Sequence, residues 1–427
     1  MIRIISFLSI ALLTVPVCAQ IEANTSFVVF SDPHYYDPSL GTEGEAFSEY
    51  LDGDRKLLAE SKELLSEAIG KTISSDADFV IIPGDLTKDG TKVSHENFAD
   101  MIRKIIEAGK PVYVVPGNHD ISNGEANGYK GNEKIHMENV GPEGFLEIYH
   151  DFGYSGAIEQ DTNSLSYVIE PSPGIWMLAL DACLYQENEE GHHPETDGEF
   201  KPETLEWIEK VAIKGAEQNK LLLAFMHHGV LEHYQKQDKF YGEYVVNNYK
   251  KVSKKFASLG IKVVFTGHYH AQDITTRKWN DGTFITDIET GSLVTYPNPL
   301  RKVEILNNQM HITSDYITSI PMHSEGFSEY SREYVHDGVS GIAEEVMVSM
   351  RLNREEAQKL SGQIADAFIA HYKGDEEIKN NYLDLSGVGF LGRIMILTKK
   401  RLIKELYTDL PPADNELIIN LQDGSAQ

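Results

Sequence analysis

Five times along this chain a short apolar run ends directly in a polar motif. Phe27–Phe30 leads into Asp32-Pro33-His34, Phe79–Ile82 into Gly84-Asp85, and Val112–Val115 into Gly117-Asn118-His119-Asp120. Leu221–Phe225 and Lys262–Phe265 lead into His227-His228 and Gly267-His268-Tyr269-His270. Apolar runs this short, bounded by Gly, Pro, Asp and Asn, read as buried strands that stop in turns. Helix-patterned segments separate them, which predicts an α/β layered domain. In such folds the carboxyl ends of the strands share one rim, so the motifs are expected to converge there.

Arg55 to Ile69 sets Leu57, Leu58, Leu64, Leu65, Ala68 and Ile69 on one helical stripe, and His95–Ala108 and Pro202–Lys214 read as further helices. Ile121–Ser164 is rich in Gly, Asn and Glu without clear periodicity and reads as a long excursion over the site. Tyr167–Ile169 and Ile175–Leu180 predict a hairpin around Pro171–Gly174, with a lid-like segment at Asn188–Phe200. Thr283–Ile288, Val303–Leu306 and His311–Ile317 suggest a closing antiparallel sheet. From about Glu325 the pattern turns helical. Asn353 and Glu356 form a capping pair ahead of Ala357, Leu360, Ile364 and Phe368, and Phe390–Leu406 is a further apolar helix stopped by Pro411-Pro412.

The first residues have the pattern of an export signal: Arg3, an apolar Ile4–Val17, and small residues at Val17-Cys18-Ala19. The expected organisation is therefore a signal peptide at 1–19, a motif-bearing domain at 20–324 and a helical C-terminal domain at 325–427. The mature protein is expected in the periplasm or outside the cell, without a stable transmembrane segment; an uncleaved N-terminal anchor is the alternative. Signal removal would leave Cys183 as the sole cysteine and no intramolecular disulfide. The 66 acidic and 38 basic residues give a formal charge of −28, a field that repels a nucleic-acid backbone. No large nucleic-acid partner is expected. Small phosphate esters remain open as substrates, because bound cations invert the local sign.

Carboxylates, an amide and imidazoles, without thiolates, are donors that suit Mn, Fe, Zn or Co. Two such ions about 3.5–4 Å apart clamp the attacking and leaving oxygens of an in-line displacement, and a carboxylate such as Asp85 can bridge them. Each motif alone is commonplace. Five in fixed order, each behind a strand, point to hydrolysis at phosphorus.

The set Asp32-x-His34, Gly84-Asp85, Gly117–Asp120, His227 and Gly267-His268-x-His270 resembles the signature of the calcineurin-like metallophosphoesterase superfamily, over roughly Ser26 to Thr318. Gly84–Gly90, the Gly198…Leu205…Trp207 helix start, and Thr290–Pro297 with Arg301 are similar to the class III cyclic-nucleotide phosphodiesterase branch and its exported bacterial relatives. Some of those relatives also carry a helical C-terminal domain. The resemblance implies a four-layer α-β-β-α sandwich. It implies two divalent or trivalent metal ions, one held by Asp32, His34, Asp85 and His270, the other by Asp85, Asn118, His227 and His268. It implies a hydroxide bridging the two as nucleophile. His119 matches the non-ligand histidine that contacts the phosphoryl group and protonates the leaving alkoxide.

Of the adjacent pair, family alignment makes His227 the ligand and leaves His228 as pocket wall or as support for the ligands. Asp120 either orients His119 or caps the following turn. Purple acid phosphatases have a glycine where His34 stands and a tyrosine ligand where Lys88 stands, so a tyrosinate–iron site is not expected. Tyr35, Tyr36, His136, His192, His193 and Tyr296 are candidates for lining the substrate pocket, or for packing; Lys88 reads by default as a solvated lysine. The expected function is an exported phosphodiesterase or phosphomonoesterase, with cyclic-nucleotide phosphodiesterase the nearest named activity. Alternatives are a general nucleotide or phospholipid-headgroup phosphatase, or an envelope-associated binding protein with vestigial catalysis.

Overall fold

The structure is a computed structural model and describes residues 24–378 and 381–427. The expected signal peptide lies outside the described residues. β1 (Thr25–Val29), β2 (Phe79–Ile82) and β3 (Val112–Val114) run parallel, side by side. Every residue of β2 is buried, as a continuous apolar run covered on both faces requires. Helices α1 (Glu45–Asp52) and α2 (Ser61–Ser74) join β1 to β2, and α3 (Lys92–Glu107) joins β2 to β3. The hairpin β4 (Asn127–Lys130)–β5 (Glu133–His136), helix α4 (Pro142–Ile148) and the short strand β6 (Glu159–Gln160) follow.

The second sheet takes β7 (Tyr167–Ser172), β8 (Ile175–Leu180), β9 (Leu221–Met226), β10 (Ile261–Thr266), β11 (Asp273–Lys278) and β12 (Phe284–Glu289). Its order is β11-β12-β10-β9-β8-β7-β6, with β8, β9, β10 and β12 parallel. Helix α5 (Pro202–Glu217) precedes β9; α6 (Gln237–Phe240) and α7 (Tyr249–Ser258) precede β10. β13 (Pro299–Leu306) and β14 (Gln309–Tyr316) return to the first sheet beside β1, and β15 (Glu416–Asn420), near the C-terminus, pairs with β14 to complete the order β15-β14-β13-β1-β2-β3.

The period-two geometry of the strands sorts the second sheet's side chains into two cores. Met177, Leu223, Phe225, Val263 and Phe265 face the first sheet, where Phe27 meets Phe265 edge-on at 5.3 Å and stacks on Phe79 at 4.7 Å. Trp176, Leu178, Leu222, Ala224 and Val264 pack with Ile208, Val211 and Phe256 of α5 and α7. On the first sheet, Leu64, Leu65 and Ala68 of α2 and Phe98, Ile102 and Ile105 of α3 close the outer side. The result is the α-β-β-α sandwich. Helices α8 (Phe327–Ser349), α9 (Arg354–Lys373) and α10 (Phe390–Glu405) form a helical region whose core includes Tyr269 and Ala271, at and just after the last motif. Asn353 Oδ1 accepts from Glu356 N at 2.9 Å, the cap read from the sequence.

Several local expectations are corrected. The helix read as Arg55–Ile69 starts only at Ser61: the Asp54 carboxylate accepts from Arg55 N and Lys56 N, and Leu57 N donates to Val294 O, so this stretch is held as a loop. The excursion 121–164 is not structureless; it carries β4, β5, α4 and β6. Phe284–Glu289 does not join Val303–Leu306 in one antiparallel sheet but lies parallel to β10 in the other sheet. Its true antiparallel neighbour, β11, reads Asp-Ile-Thr-Thr-Arg-Lys, an edge strand too polar to stand out. The helical region is interrupted by return to the first sheet at β15.

Candidate metal centre

The five motifs follow β1, β2, β3, β9 and β10, and the loops after those strands bring their side chains together. Asp32, His34, Asp85 and His270 place ligand atoms within 4.8 Å of one another, and so do Asp85, His227 and His268. Asn118 joins the second group through its Oδ1, 3.1 Å from His227 Nε2. All seven residues expected as ligands are buried at one place.

Asp85 belongs to both groups. Its Oδ1 accepts from His119 N at 2.9 Å, which leaves Oδ2 at 3.5 Å from His34 Nε2 and 3.4 Å from His227 Nε2. Asp32 is fixed by Ser31 Oγ at 2.5 Å and by His268 N at 3.1 Å, and its Oδ1 lies 3.5 Å from His270 Nε2. His34 Nε2 and His270 Nε2 face each other at 3.1 Å.

The backbone is strained where these side chains emerge. Asp32 (φ 48°), His34 (φ 37°), Asp85 (φ 47°), His268 (φ 78°) and His270 (φ 71°) all adopt left-handed conformations that non-glycine residues avoid. Such conformations cost on the order of 1–3 kcal/mol each and persist only where surrounding structure over-determines them. Gly117 supplies the close approach: a Cβ there would overlap Asp85 Oδ1 and Asp85 N.

The electrostatics fit cations. Burial holds His34 and His268 well below the ordinary imidazole range and lowers His270 as well, so these rings are neutral and able to ligate. Burial alone would also lower His227, but Asp85 and Asp32 raise it to about 9. Against its own burial, the Asp85 carboxyl is held well below the usual carboxylate range by His227, His119 and His34. The carboxylates thus draw positive charge into a buried pocket of nitrogen and oxygen donors. His34 Nδ1 and His270 Nδ1 have no hydrogen-bond partner there.

His228 points elsewhere. Its Nε2 is 2.9 Å from Thr196 O, and its ring lies 4.5 Å from that of His268, as a wall of the pocket. Asp120 does not touch the His119 ring: it accepts from Leu86 N, Thr87 N and Gly117 N, and so ties the second motif to the third. The partner of His119 is Asp89, whose Oδ1 lies 3.2 Å from His119 Nδ1. Nothing in the local pattern marked Asp89 apart from its place in Gly84–Gly90. Lys88, expected in solvent, is buried: its ammonium pairs with Asp89 and sits 3.8 Å from the Tyr50 ring centroid.

Among the residues considered for the pocket, Tyr35 and Tyr36 are core residues, bonded through their hydroxyls to Asp37 and Gly41. His136, His192 and His193 are all exposed; the His193 ring stands 6.0 Å from that of His119 and its Nδ1 is 2.9 Å from Glu125 Oε2. Tyr296 packs with the C-terminal helices. An apolar cleft of about 430 Å³ adjoins the centre, lined by Arg55, Tyr241, Tyr244, Tyr269, Met347 and Phe368 among others, with the Tyr244 ring 4.6 Å from that of His268. Among the described residues no helix is long and apolar enough to cross a membrane.

The chain is 30% identical over 151 residues to a probable glycerophosphodiester phosphodiesterase GpdQ of Arcobacter nitrofigilis, covering 35% of this chain and 41% of that protein. It is 25% identical over 210 residues to the human serine/threonine-protein phosphatase CPPED1, covering 48% of this chain and 56% of that one. The chain spans about half the length of the curated relatives it matches. Among solved structures, a dimetal phosphatase from Danio rerio aligns with 68% of this chain and 96% of its own, at 16% identity and a TM-score of 0.47. The model of the calcineurin-like phosphoesterase family matches residues 25–272, which contain all five motifs, and the chain belongs to that family.

Proposed function

We propose that this protein is an exported binuclear metal-dependent hydrolase of small phosphate esters. The observation that carries the reading is the placement of Asp85 Oδ2 between His34 Nε2 and His227 Nε2, at 3.5 and 3.4 Å, where one carboxylate serves two cation positions. Asp32, His34, Asp85 and His270 would hold one ion, and Asp85, Asn118, His227 and His268 the other. Bound there, two cations neutralise charge on the phosphoryl oxygens and lower the pKa of water.

The chain's own residues do the rest. His119 N–H fixes the rotamer of Asp85. The His119 ring, 5.0 Å from that of His34, is in reach of a phosphoryl group at the centre and is the proton donor to the leaving alkoxide. Asp89 Oδ1, 3.2 Å from its Nδ1, holds the ring in place. His228, His268 and Tyr244 wall the pocket.

One named relative is a diesterase and the other a phosphatase, so both ester classes belong in the test. Hydrolysis of bis(p-nitrophenyl) phosphate, p-nitrophenyl phosphate and 2′,3′- and 3′,5′-cyclic nucleotides with added Mn²⁺ would be compared for wild type and Asp85→Ala. Metal-dependent turnover lost in the variant supports the reading; no turnover on any ester with any divalent metal refutes it. Export rests on the sequence pattern of residues 1–19 and is tested by fractionation with N-terminal sequencing of the mature chain, which would begin near Gln20.

A further inference from the structure

A second concentration of buried carboxylates lies where the C-terminal helices meet the second sheet. Asp273 opens β11, His371 occupies the last turn of α9, and Glu376 follows that helix. Their ligand atoms lie within 4.8 Å of one another, with His371 Nδ1 at 2.5 Å from Glu376 Oε1 and 3.8 Å from Asp273 Oδ2. Asp375, Asp409 and Asp414 form an adjoining group.

The cluster is not self-sufficient. His371 and Glu376 side chains are each only 1% exposed, yet His371 Nε2 and Glu376 Oε2 have no hydrogen-bond partner, nor does Asp409 Oδ1. Of the nearby basic groups, Arg301 is committed to main-chain oxygens, and His233 reaches only Asp273 of the cluster. Arg301 donates to the main-chain oxygens of Glu289 and Asp414. His233 donates to Asp273 Oδ1 from Nδ1, at 2.8 Å, while its Nε2 faces Asp287 and Glu289. Burial, added to by the Asp273 charge, pushes Glu376 and Asp414 up to about 10 and Asp409 up to about 7. Carboxyls so placed lack counter-charge.

We propose that Asp273, His371 and Glu376, with Asp409 alongside, bind a further divalent cation, separate from the motif centre. Carboxylate oxygens with one imidazole and no thiolate suit a hard or borderline ion: Mn²⁺, Zn²⁺ or Ca²⁺. The ion is a clip. It joins the end of α9 and the approach to β15 to β11, beside the bond from Gln272 N to Tyr372 O, and so seats the helical region against the edge of the sheet that carries His268 and His270. Buried charge is thereby compensated at a seam that hydrophobic packing alone leaves incomplete.

The test is made on the full chain, stripped with a chelator, loaded separately with Mn²⁺, Zn²⁺ or Ca²⁺, and freed of excess ion by gel filtration. Bound metal per chain is measured by mass spectrometry, and thermal unfolding is followed with and without the ion. Wild type is expected to retain one more ion per chain than Glu376→Gln or His371→Phe and to gain more in melting temperature from the ion. An Asp32→Asn/His34→Ala/Asp85→Asn/His227→Ala variant, which takes ligands from both positions of the motif centre, is expected to retain one. Equal metal content and equal thermal gain in wild type and folded Glu376→Gln would overturn the proposal, leaving the carboxyls protonated instead. Where the seam variants do not fold, the quadruple variant decides: one retained ion supports the site and none overturns it. The motif centre is judged apart, from the ions that the seam variants still hold.

Discussion

Asp89 Oδ1 lies 3.2 Å from His119 Nδ1, on a carboxylate that also pairs with the buried ammonium of Lys88. Burial opposes the charge on Asp89, but Lys88 and His119 outweigh it and hold the carboxyl below its ordinary range. Asp89 therefore stays ionised and fixes the ring that would donate a proton. His119→Ala is expected to lower kcat on alkyl phosphate esters by about 10²–10⁴-fold. Asp89→Asn should lose activity in the same direction by a smaller factor. Both losses should shrink on p-nitrophenyl esters, whose leaving group needs little protonation; kcat on alkyl and aryl esters, side by side, checks this.

Gly117 admits no side chain, because a Cβ would overlap Asp85 Oδ1. Gly117→Ala is expected to displace Asp85 and abolish metal-dependent turnover while leaving the far-UV circular dichroism near that of wild type. Bound metal per chain should fall with activity. Full activity in this variant would show that Asp85 need not hold its observed position.

Lys88 stands over the half-buried Tyr50 with Asp89 as its ion partner, and both members of the pair are buried. Removing one member of a buried pair strands the other charge, which costs about 3–5 kcal/mol. Lys88→Met is expected to destabilise the fold by about that amount in urea unfolding, where a solvated lysine would be nearly neutral.

His95 is buried between Tyr149 Oη at 2.8 Å and Asp120 O at 2.8 Å, and burial lowers its pKa from 6.5 to about 4. Between those values the unfolded chain binds the extra proton and the folded chain does not. The resulting stability is complete above pH 6.5 and is lost as pH falls towards 4, by about 3 kcal/mol in all. His95→Phe should flatten the fall in urea midpoint from pH 7 to pH 4.5 relative to wild type.

What the sequence disclosed and what it hid have physical causes. Asp32, Asp85 and His268 were legible because each follows a strand buried on both faces, whose apolar run is unmistakable. The placement of His227 toward Asp85, with His228 turned to Thr196, follows the order expected for that pair. β11 was missed because an edge strand need not be apolar; β15, with its short apolar Leu417-Ile418-Ile419, was missed because its partner, β14, lies a hundred residues earlier. Lys88 read as a solvated lysine and Asp89 carried no signal of its own; the approach of His119, Tyr36, Tyr50 and Tyr129 buries them. Local pattern located the side chains that gather at the candidate centre. The groups that steer them came from tertiary contact.

If Asp85 joins two cation positions, electron paramagnetic resonance of the Mn²⁺-loaded protein shows an exchange-coupled pair signal in wild type. That signal should vanish in Asp85→Asn, with loss of turnover on bis(p-nitrophenyl) phosphate. Only isolated Mn²⁺ signals in active wild type, or a coupled pair that survives in Asp85→Asn, would contradict it.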